Sequence, residues 1–230
     1  MSLPIHEVFR AFQGEGVHMG RSAFFIRTFG CPLHCTFCDA AGTWHPDHVP
    51  EHIERMEAAA LVEEALAEPL VDLVVVTGGE PCVHDLYELT VRLTSRIPVH
   101  LETSGAYDIR GYFDWVTLSP KRSRLPLRGP VLRADEFKFI IEVPEDITFF
   151  TNMIEELLGR SIPKTVPVWL HPEWSKREDP AVLNAITHAV TEHGAPFRAG
   201  WQLHKLFKCD QQDSRSMPAV PLGGDVKKGF

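Results

Sequence analysis

The chain has 230 residues, 44% of them hydrophobic, enough to bury the core of one substantial domain. A formal net charge of −8 argues against broad binding to nucleic acid or to an anionic membrane surface. No apolar run approaches the ~20 residues of a membrane span. Residues 1–16 lack the charged start and apolar core of a secretion signal, so a cytoplasmic protein is expected. Five cysteines are too odd a number for a secreted disulfide framework. Three of them are clustered; Cys82 and Cys209 read as buried or incidental thiols.

In chain order, residues 23–29 (AFFIRTF) predict a strand that ends at Gly30 and a cysteine loop. Residues 56–67 have helical composition and period, closed by Pro69. Residues 71–77 (VDLVVVT) form a nearly unbroken β-branched run, expected of a strand covered on both faces, and Gly78-Gly79 ends it. A helix over 84–96 precedes a strand over 98–103. Strands follow at 115–120 and 136–141, with a Pro-, Arg- and Leu-rich loop between them. Residues 146–158 suit a helix, 165–170 a strand, 180–193 a helix and 199–203 an extended segment. No internal repeat is visible.

Alternating strands and helices imply an α/β fold with a parallel sheet. The chain is short for a full eight-unit barrel of ~250 residues, so a partial, open barrel of about six strands is expected. Residues 1–208 read as one domain. Residues 209–230, polar and rich in Pro and Gly, read as a tail, either flexible or packed over the site.

The most informative feature is Cys31, Cys35 and Cys38, a C-x3-C-x2-C run. Three thiolates can hold three irons of a [4Fe–4S] cluster and leave the fourth open to a substrate or cofactor. That spacing is the signature of radical S-adenosylmethionine (SAM) enzymes. Zinc is the main competitor, with a fourth ligand drawn from His34, His45, His48 or Cys209; a thioredoxin-like pair would lack a third cysteine. Phe37 is an aromatic suited to lie beside an adenine, or to a core. Gly78-Gly79-Glu80-Pro81 follows an apolar strand. Its glycines allow close backbone approach, its free peptide groups can bind polar ends, and Glu80 can accept from an ammonium. Three further strand-end segments, Glu102-Thr103-Ser104-Gly105, Ser119-Pro120-Lys121 and Leu170-His171-Pro172, offer hydroxyl, carboxylate, ammonium and imidazole groups to a cofactor, although each alone is equally turn chemistry.

The segment before the cysteines is narrower. Phe12-Gln13-Gly14-Glu15-Gly16, Gly20-Arg21, Phe25-Ile26-Arg27 and Gly30-Cys31-Pro32-Leu33, with Gln202-Leu203-His204-Lys205 near the end, resemble the 7-carboxy-7-deazaguanine synthase (QueE) family. Matching motifs run from about residue 7 to residue 206. The resemblance implies a radical-SAM lyase that converts 6-carboxy-5,6,7,8-tetrahydropterin to 7-carboxy-7-deazaguanine with loss of ammonia, on the route to queuosine and other 7-deazapurines. SAM is then a reusable cofactor, contacted by Phe37, Gly78, Gly79, Glu80, Glu102, Thr103, Ser104, Ser119, Lys121 and His171. Arg27 can clamp a carboxylate bidentately; alternatively it is a surface ion pair. Gln13, Glu15 and the Gly14–Gly16 backbone offer donors and acceptors to an amino-pyrimidine edge. Thr77 and His204 resemble family substrate contacts, although His204 also fits a satisfied core histidine.

The family implies a flavodoxin or ferredoxin reductant and a homodimer. Its Cys-Asp-Thr run, whose threonine helps bind Mg2+, is here Cys38-Asp39-Ala40. Asp39 and Thr43 are left as candidate hard-oxygen ligands. His171 stands where some members place glutamine, and the chain continues 25 residues past Lys205. The alternatives are another radical-SAM enzyme, such as a glycyl-radical activase, and a non-enzymatic zinc or redox-sensing protein.

Overall fold

The computed structural model describes residues 1–217. Its strands are β1 (Ser2–Phe12), β2 (Ser22–Thr28), β3 (Glu54–Glu57), β4 (Leu73–Gly78), β5 (Val99–Thr103), β6 (Trp115–Leu118), β7 (Glu136–Ile141), β8 (Val168–Pro172) and β9 (Phe197–Ala199). They form one sheet in the order β3-β1-β2-β4-β5-β6-β7-β8-β9, with β3 and β9 as its two borders, so the sheet is open. From β2 through β9 every neighbouring pair is parallel. β1 runs antiparallel to both β2 and β3.

The expected parallel α/β sheet is therefore present. The six strands β2 and β4–β8 match the expectation, and β9 adds three residues. The antiparallel extension was not foreseen, for two reasons. β3 (ERME) has three exposed residues out of four and no apolar face. In β1 the register shifts between Ile5 and Glu7, which breaks the period-2 alternation that marks a strand.

Among the described residues the helices are α1 (Ala58–Ala67), α2 (Tyr87–Leu93), α3 (Arg128–Arg133), α4 (Glu145–Leu158), α5 (Pro180–His188) and α6 (Leu203–Phe207). α1 starts two residues later than expected because Met56 and Glu57 pair in β3. α2 is shorter than 84–96 because Pro81 directs the chain through a 3-10 turn first. The Pro-rich loop hides α3. α4 ends at Gly159, whose φ of +69° closes the helix with bonds to Glu155 and Glu156. α5 opens with Pro180 at its first turn and the Asp179 carboxylate accepting from Ala181 N–H; residues 189–193 then continue as a π turn. The segment expected to be extended at 199–203 ends at Ala199, and the Gln-Leu-His-Lys run enters α6.

The two faces of the sheet differ by strict alternation. Phe24, Ile26, Val74, Val76, Val99, Leu101 and Val116 face α1 and α2 in one core. Leu118, Phe137, Phe139, Ile141, Val168 and Leu170 face α3, α4 and α5 in a second. Each such fully buried Leu, Ile or Phe contributes about 1.5–3 kcal/mol of hydrophobic burial. The intervening residues (Phe25 and Arg27, Thr77, His100 and Glu102, Thr117, Lys138 and Ile140) turn to the uncovered face. The C-terminal ends of the parallel strands open there into a cavity, as parallel α/β folds commonly arrange.

The Cys209–Gln211 turn that follows α6 packs on β1. Residues 213–217 also bond to this strand, through Arg10 N–H to Asp213 (2.9 Å) and Met217 N–H to Glu7 (2.6 Å). Of the expected tail 209–230, residues 218–230 lie outside the described residues. No helix among the described residues is long and apolar enough to cross a membrane.

Candidate active site

A cavity of about 670 Å³ lies at the strand ends. One wall carries Cys31, Cys35, Phe37 and Cys38 with Gly78, Gly79, Glu80, Thr103, Ser104, Ser119 and Lys121. The other carries Gln13, Gly14, Glu15, Arg27, Thr77, Glu102, Lys138 and His204. Segments far apart in sequence thus share one space.

All three loop cysteines are free thiols, partly exposed on the same wall. Burial pushes the Cys31 thiol up to about 11, so the thiolates a cluster requires form as metal binds and protons leave. Among the described residues no three His, Cys, Asp or Glu side chains are already gathered as a closed metal cage; the thiols share a wall. The donor set, three soft thiols on one loop facing a large cavity, fits an iron–sulfur cluster with one open position. Trp44 Nε1–H donates to Cys38 Sγ at 3.4 Å.

The glycines behind the loop act differently from expectation. Gly79 N–H donates to Thr28 O (3.1 Å) and Glu80 N–H to Gly30 O (3.0 Å). Those peptide groups are spent holding the cysteine loop, not free for a ligand. A Cβ on Gly79 would stand 2.5 Å from Gly30 O and 2.6 Å from Cys31 Cβ. Glu80 is 1% exposed. Its carboxylate accepts from Cys82 N–H (3.0 Å), Thr103 Oγ1–H (2.6 Å), Ser104 N–H (2.8 Å) and Ser104 Oγ–H. Glu80, Thr103 and Ser104 therefore form a buried knot that fixes the cavity floor. Lys121 Nζ donates to Ser119 Oγ (2.6 Å) and Ser119 O (2.8 Å), and burial lowers its pKa.

On the opposite wall, Lys138 Nζ lies 2.5 Å from Glu15 Oε2 and 2.8 Å from Glu102 Oε2. Burial works against the ammonium, but Glu102 and Glu15 overcome it and hold Lys138 above the ordinary lysine value. One cation cannot fully serve two buried carboxylates. Glu15, beside the Lys138 ammonium, stays well below the usual carboxylate range, while burial leaves Glu102 above it. Gln13 uses both ends of its amide: Nε2 donates to Glu102 (3.0 Å) and Oε1 accepts from Glu15 N–H (3.2 Å). Glu102, expected beside SAM, thus belongs to the Gln13–Glu15–Lys138 group. Below it, Thr117 donates to Glu136 (2.6 Å) and stands 2.7 Å from His100 Nε2, so His100 carries its proton on Nε2. Trp169 Nε1–H (2.7 Å) and Val17 N–H (3.0 Å) complete Glu136.

Three expected site residues are off the cavity wall. His171 is fully buried on β8, 3.7 Å behind Glu15 Oε1 and packed on Gly200; neither ring nitrogen nor Glu15 Oε1 has a hydrogen-bond partner. Burial lowers the His171 pKa to about 4, so it sits as a neutral support and not as a SAM contact. Gly16 adopts φ +69° in the turn after the Gln-Gly-Glu run, where a Cβ would strike the Glu136 carboxylate; it permits close packing and does not meet substrate. Thr43 is fully buried and donates its hydroxyl to Ala40 O at 2.7 Å, so it does not join Asp39 as a ligand. Asp39 is on the wall, with its carboxylate 3.4 Å from Lys205 Nζ and 3.7 Å from His204 Nε2. His204 is held against Gly14, whose carbonyl accepts from Leu203 N–H at 3.1 Å.

Several wall residues were missed. Lys138 is a single cation amid an apolar β7, at an inward register position; that interruption was a usable signal. Trp174 and Arg177, stacked with Cζ 4.8 Å from the ring centroid, also line the cavity, and nothing in their local sequence marks them; Lys205, from the Gln-Leu-His-Lys run, joins them there. Glu7, 2.6 Å from Arg27 Nε, was not singled out either.

A profile described as the Radical SAM superfamily matches residues 25–121. The chain is 41% identical over 209 residues to the 7-carboxy-7-deazaguanine synthase of Synechocystis sp., covering 90% of this chain and 93% of that one. It is 36% identical over 223 residues to the enzyme of the same name from Prochlorococcus marinus, covering 88% and 96%. Its structure resembles the crystal structure of QueE from Escherichia coli, with a TM-score of 0.71 and 30% identity, over 89% of this chain and 95% of that one. By fold, cavity and relationship, the chain belongs to the 7-carboxy-7-deazaguanine synthase family.

Proposed function

We propose that this chain converts 6-carboxy-5,6,7,8-tetrahydropterin to 7-carboxy-7-deazaguanine with release of ammonia, as a radical-SAM enzyme on the route to queuosine and other 7-deazapurines. The observation that carries this reading is one cavity lined both by three free thiols and by carboxylate, amide and guanidinium side chains. Cys31, Cys35 and Cys38 would hold the [4Fe–4S] cluster. When bound, cluster and SAM supply the reductive cleavage and the hydrogen abstraction that start the ring contraction.

The chain's own residues bind and orient. Gly78, Gly79, Ser119 and Lys121 present carbonyl, hydroxyl and ammonium groups on the SAM side, and Phe37 a flat apolar surface. Glu80, Thr103 and Ser104 keep that floor rigid. Arg27 directs its guanidinium to the pterin carboxylate; Glu15, kept ionised by Lys138, accepts from the amino-pyrimidine edge, with Gln13 and Glu102 bracing it. Thr77 and His204 line the remaining wall, and Trp174 and Arg177 shield the rim. Asp39 is the remaining candidate for Mg2+, since Ala40 has no side-chain oxygen and Thr43 is turned away. The flavodoxin or ferredoxin reductant, the homodimer and the cytoplasmic location rest on family resemblance and composition.

The test is anaerobic turnover of the iron- and sulfide-reconstituted chain with SAM, reductant and the pterin, with and without Mg2+. Deazaguanine product and ammonia are expected. SAM cleavage without product would favour a glycyl-radical activase or similar enzyme, and no SAM cleavage at all would favour the zinc or redox-sensor reading.

A further inference from the structure

The register shift in β1 has a geometric effect beyond the strand. Ile5 pairs with Thr28 and Glu7 with Arg27, leaving His6 as an extra residue. Leu3 and Ile5 point into the helix-covered core; after the shift it is Val8 that does so. Glu7, Phe9 and Ala11 therefore share the cavity face, and Phe9 and Ala11 line the cavity. Without the extra residue, Glu7 would lie on the same side as Ile5.

Placed there, the Glu7 carboxylate is 7% exposed and divides its oxygens. Oε1 accepts from Arg27 Nε at 2.6 Å. Oε2 accepts from Met217 N–H at 2.6 Å and Ser216 Oγ–H at 3.3 Å. Residues 213–217 are themselves anchored: Asp213 accepts from Arg10 N–H at 2.9 Å, and Arg215 reaches both Asp213 and Glu68 at 2.6 Å. A fork-to-fork pair would use Nε together with an Nη of the guanidinium. Here Nε alone is engaged; among the described residues the Nη groups have no hydrogen-bond partner. They are left to donate into the cavity.

We propose that Glu7 is a positioning residue for substrate recognition: it fixes the plane of Arg27 through Nε so that the Nη edge meets the substrate carboxylate, and the 213–217 strap holds Glu7 in place. This rests on Arg27 clamping the pterin carboxylate. A long, rotamer-rich side chain fixed before binding loses less freedom on binding.

The experiment uses the full, reconstituted chain and two ligands, 6-carboxytetrahydropterin as substrate and unsubstituted tetrahydropterin as competitive inhibitor. Glu7→Ala should raise KM for the substrate roughly tenfold or more, change kcat less than about threefold, and leave the inhibition constant of the carboxylate-free pterin unaltered. Glu7→Gln keeps an oxygen for Nε but turns an amide NH2 toward Met217 N–H, so it should raise the same KM by a smaller factor. It also keeps the test open if Glu7→Ala folds poorly. Met217→Pro, which removes the N–H bonded to Glu7, should raise the same KM by a smaller factor. Equal weakening of both ligands, or an unchanged KM in Glu7→Gln and Glu7→Ala alike, overturns the role of Glu7. An unchanged KM in Met217→Pro overturns the strap's part. A wild-type chain that does not turn over the pterin would instead defeat the functional reading itself.

Discussion

The two walls of the cavity are assembled in different ways. The cysteine wall is built from short motifs whose members are neighbours in sequence, tied to one another by bonds of middling span, such as Ser104 N–H to Glu80 across 24 positions or Glu80 N–H to Gly30 O. The wall of Gln13, Glu15 and Arg27 is built from single residues brought together over long distances: Lys138 reaches Glu15 across 123 positions, and behind Arg27 Met217 reaches Glu7 across 210. The first wall is fixed by bonds and glycine packing between a few motifs that all lie within residues 28–121. The second depends on the register of β1, β2, β5 and β7 in the sheet, and so on the whole fold. Damage to the first should remove chemistry and spare the fold; damage to the second should strike stability and substrate affinity together.

The sharpest test of that contrast is Cys35→Ser. It should abolish the visible absorption of the reconstituted cluster and all SAM cleavage, while urea unfolding of the metal-free chain stays within about 0.5 kcal/mol of wild type. Lys138→Met should do the opposite. Two buried carboxylates lose their cation, an expected cost of about 3–5 kcal/mol, read as a lowered urea midpoint, with cluster content retained in whatever fraction folds. Adding Glu102→Gln should recover part of that cost, since one of the two stranded charges is removed. Gly79→Ala lies between these cases. Its methyl meets backbone at Gly30, an overpacking of about 1–3 kcal/mol, and iron per chain after reconstitution should fall because the cysteine loop is displaced.

A pH series sharpens the comparison further. His171, behind Glu15, has a folded pKa of about 4 against an ordinary value of 6.5, because burial disfavours its charge. Between those values the unfolded chain binds more protons than the folded one. Its stabilising contribution is therefore complete above about pH 6.5 and is lost as pH falls toward 4, about 3 kcal/mol in all. His171→Leu should flatten that part of the stability curve, measured by urea unfolding from pH 7.5 to 4; an equally steep decline in the variant would assign it to other groups such as His100, which burial also lowers.

What could be read from the chain follows the same division. The cysteine run, the Gly-Gly-Glu-Pro turn and the β-branched strand before it were legible because their chemistry and their spacing coincide. The parallel sheet was legible because strands alternate with helices along the chain and the run at 71–77 is almost unbroken in β-branched residues. Thr43 and His171 were misplaced because proximity to a motif does not fix the side to which a residue points: one more residue of strand or turn reverses it. Glu7 was invisible for the same reason, its orientation being set by an extra residue in β1 that no composition reveals. Lys138 could have been found, since a lone lysine in a buried strand demands a partner.

The borders of the open sheet carry a last consequence. At one end stands Glu54-Arg55-Met56-Glu57, with three charged, exposed side chains out of four; at the other stand only Phe197, Arg198 and Ala199, with the last two in solvent. Neither border offers a long, flat, apolar row of unpaired amides to a passing strand. Two copies meeting in a crowded solution are thereby discouraged from fusing their sheets, so the architecture can leave its sheet unclosed without inviting fibre growth.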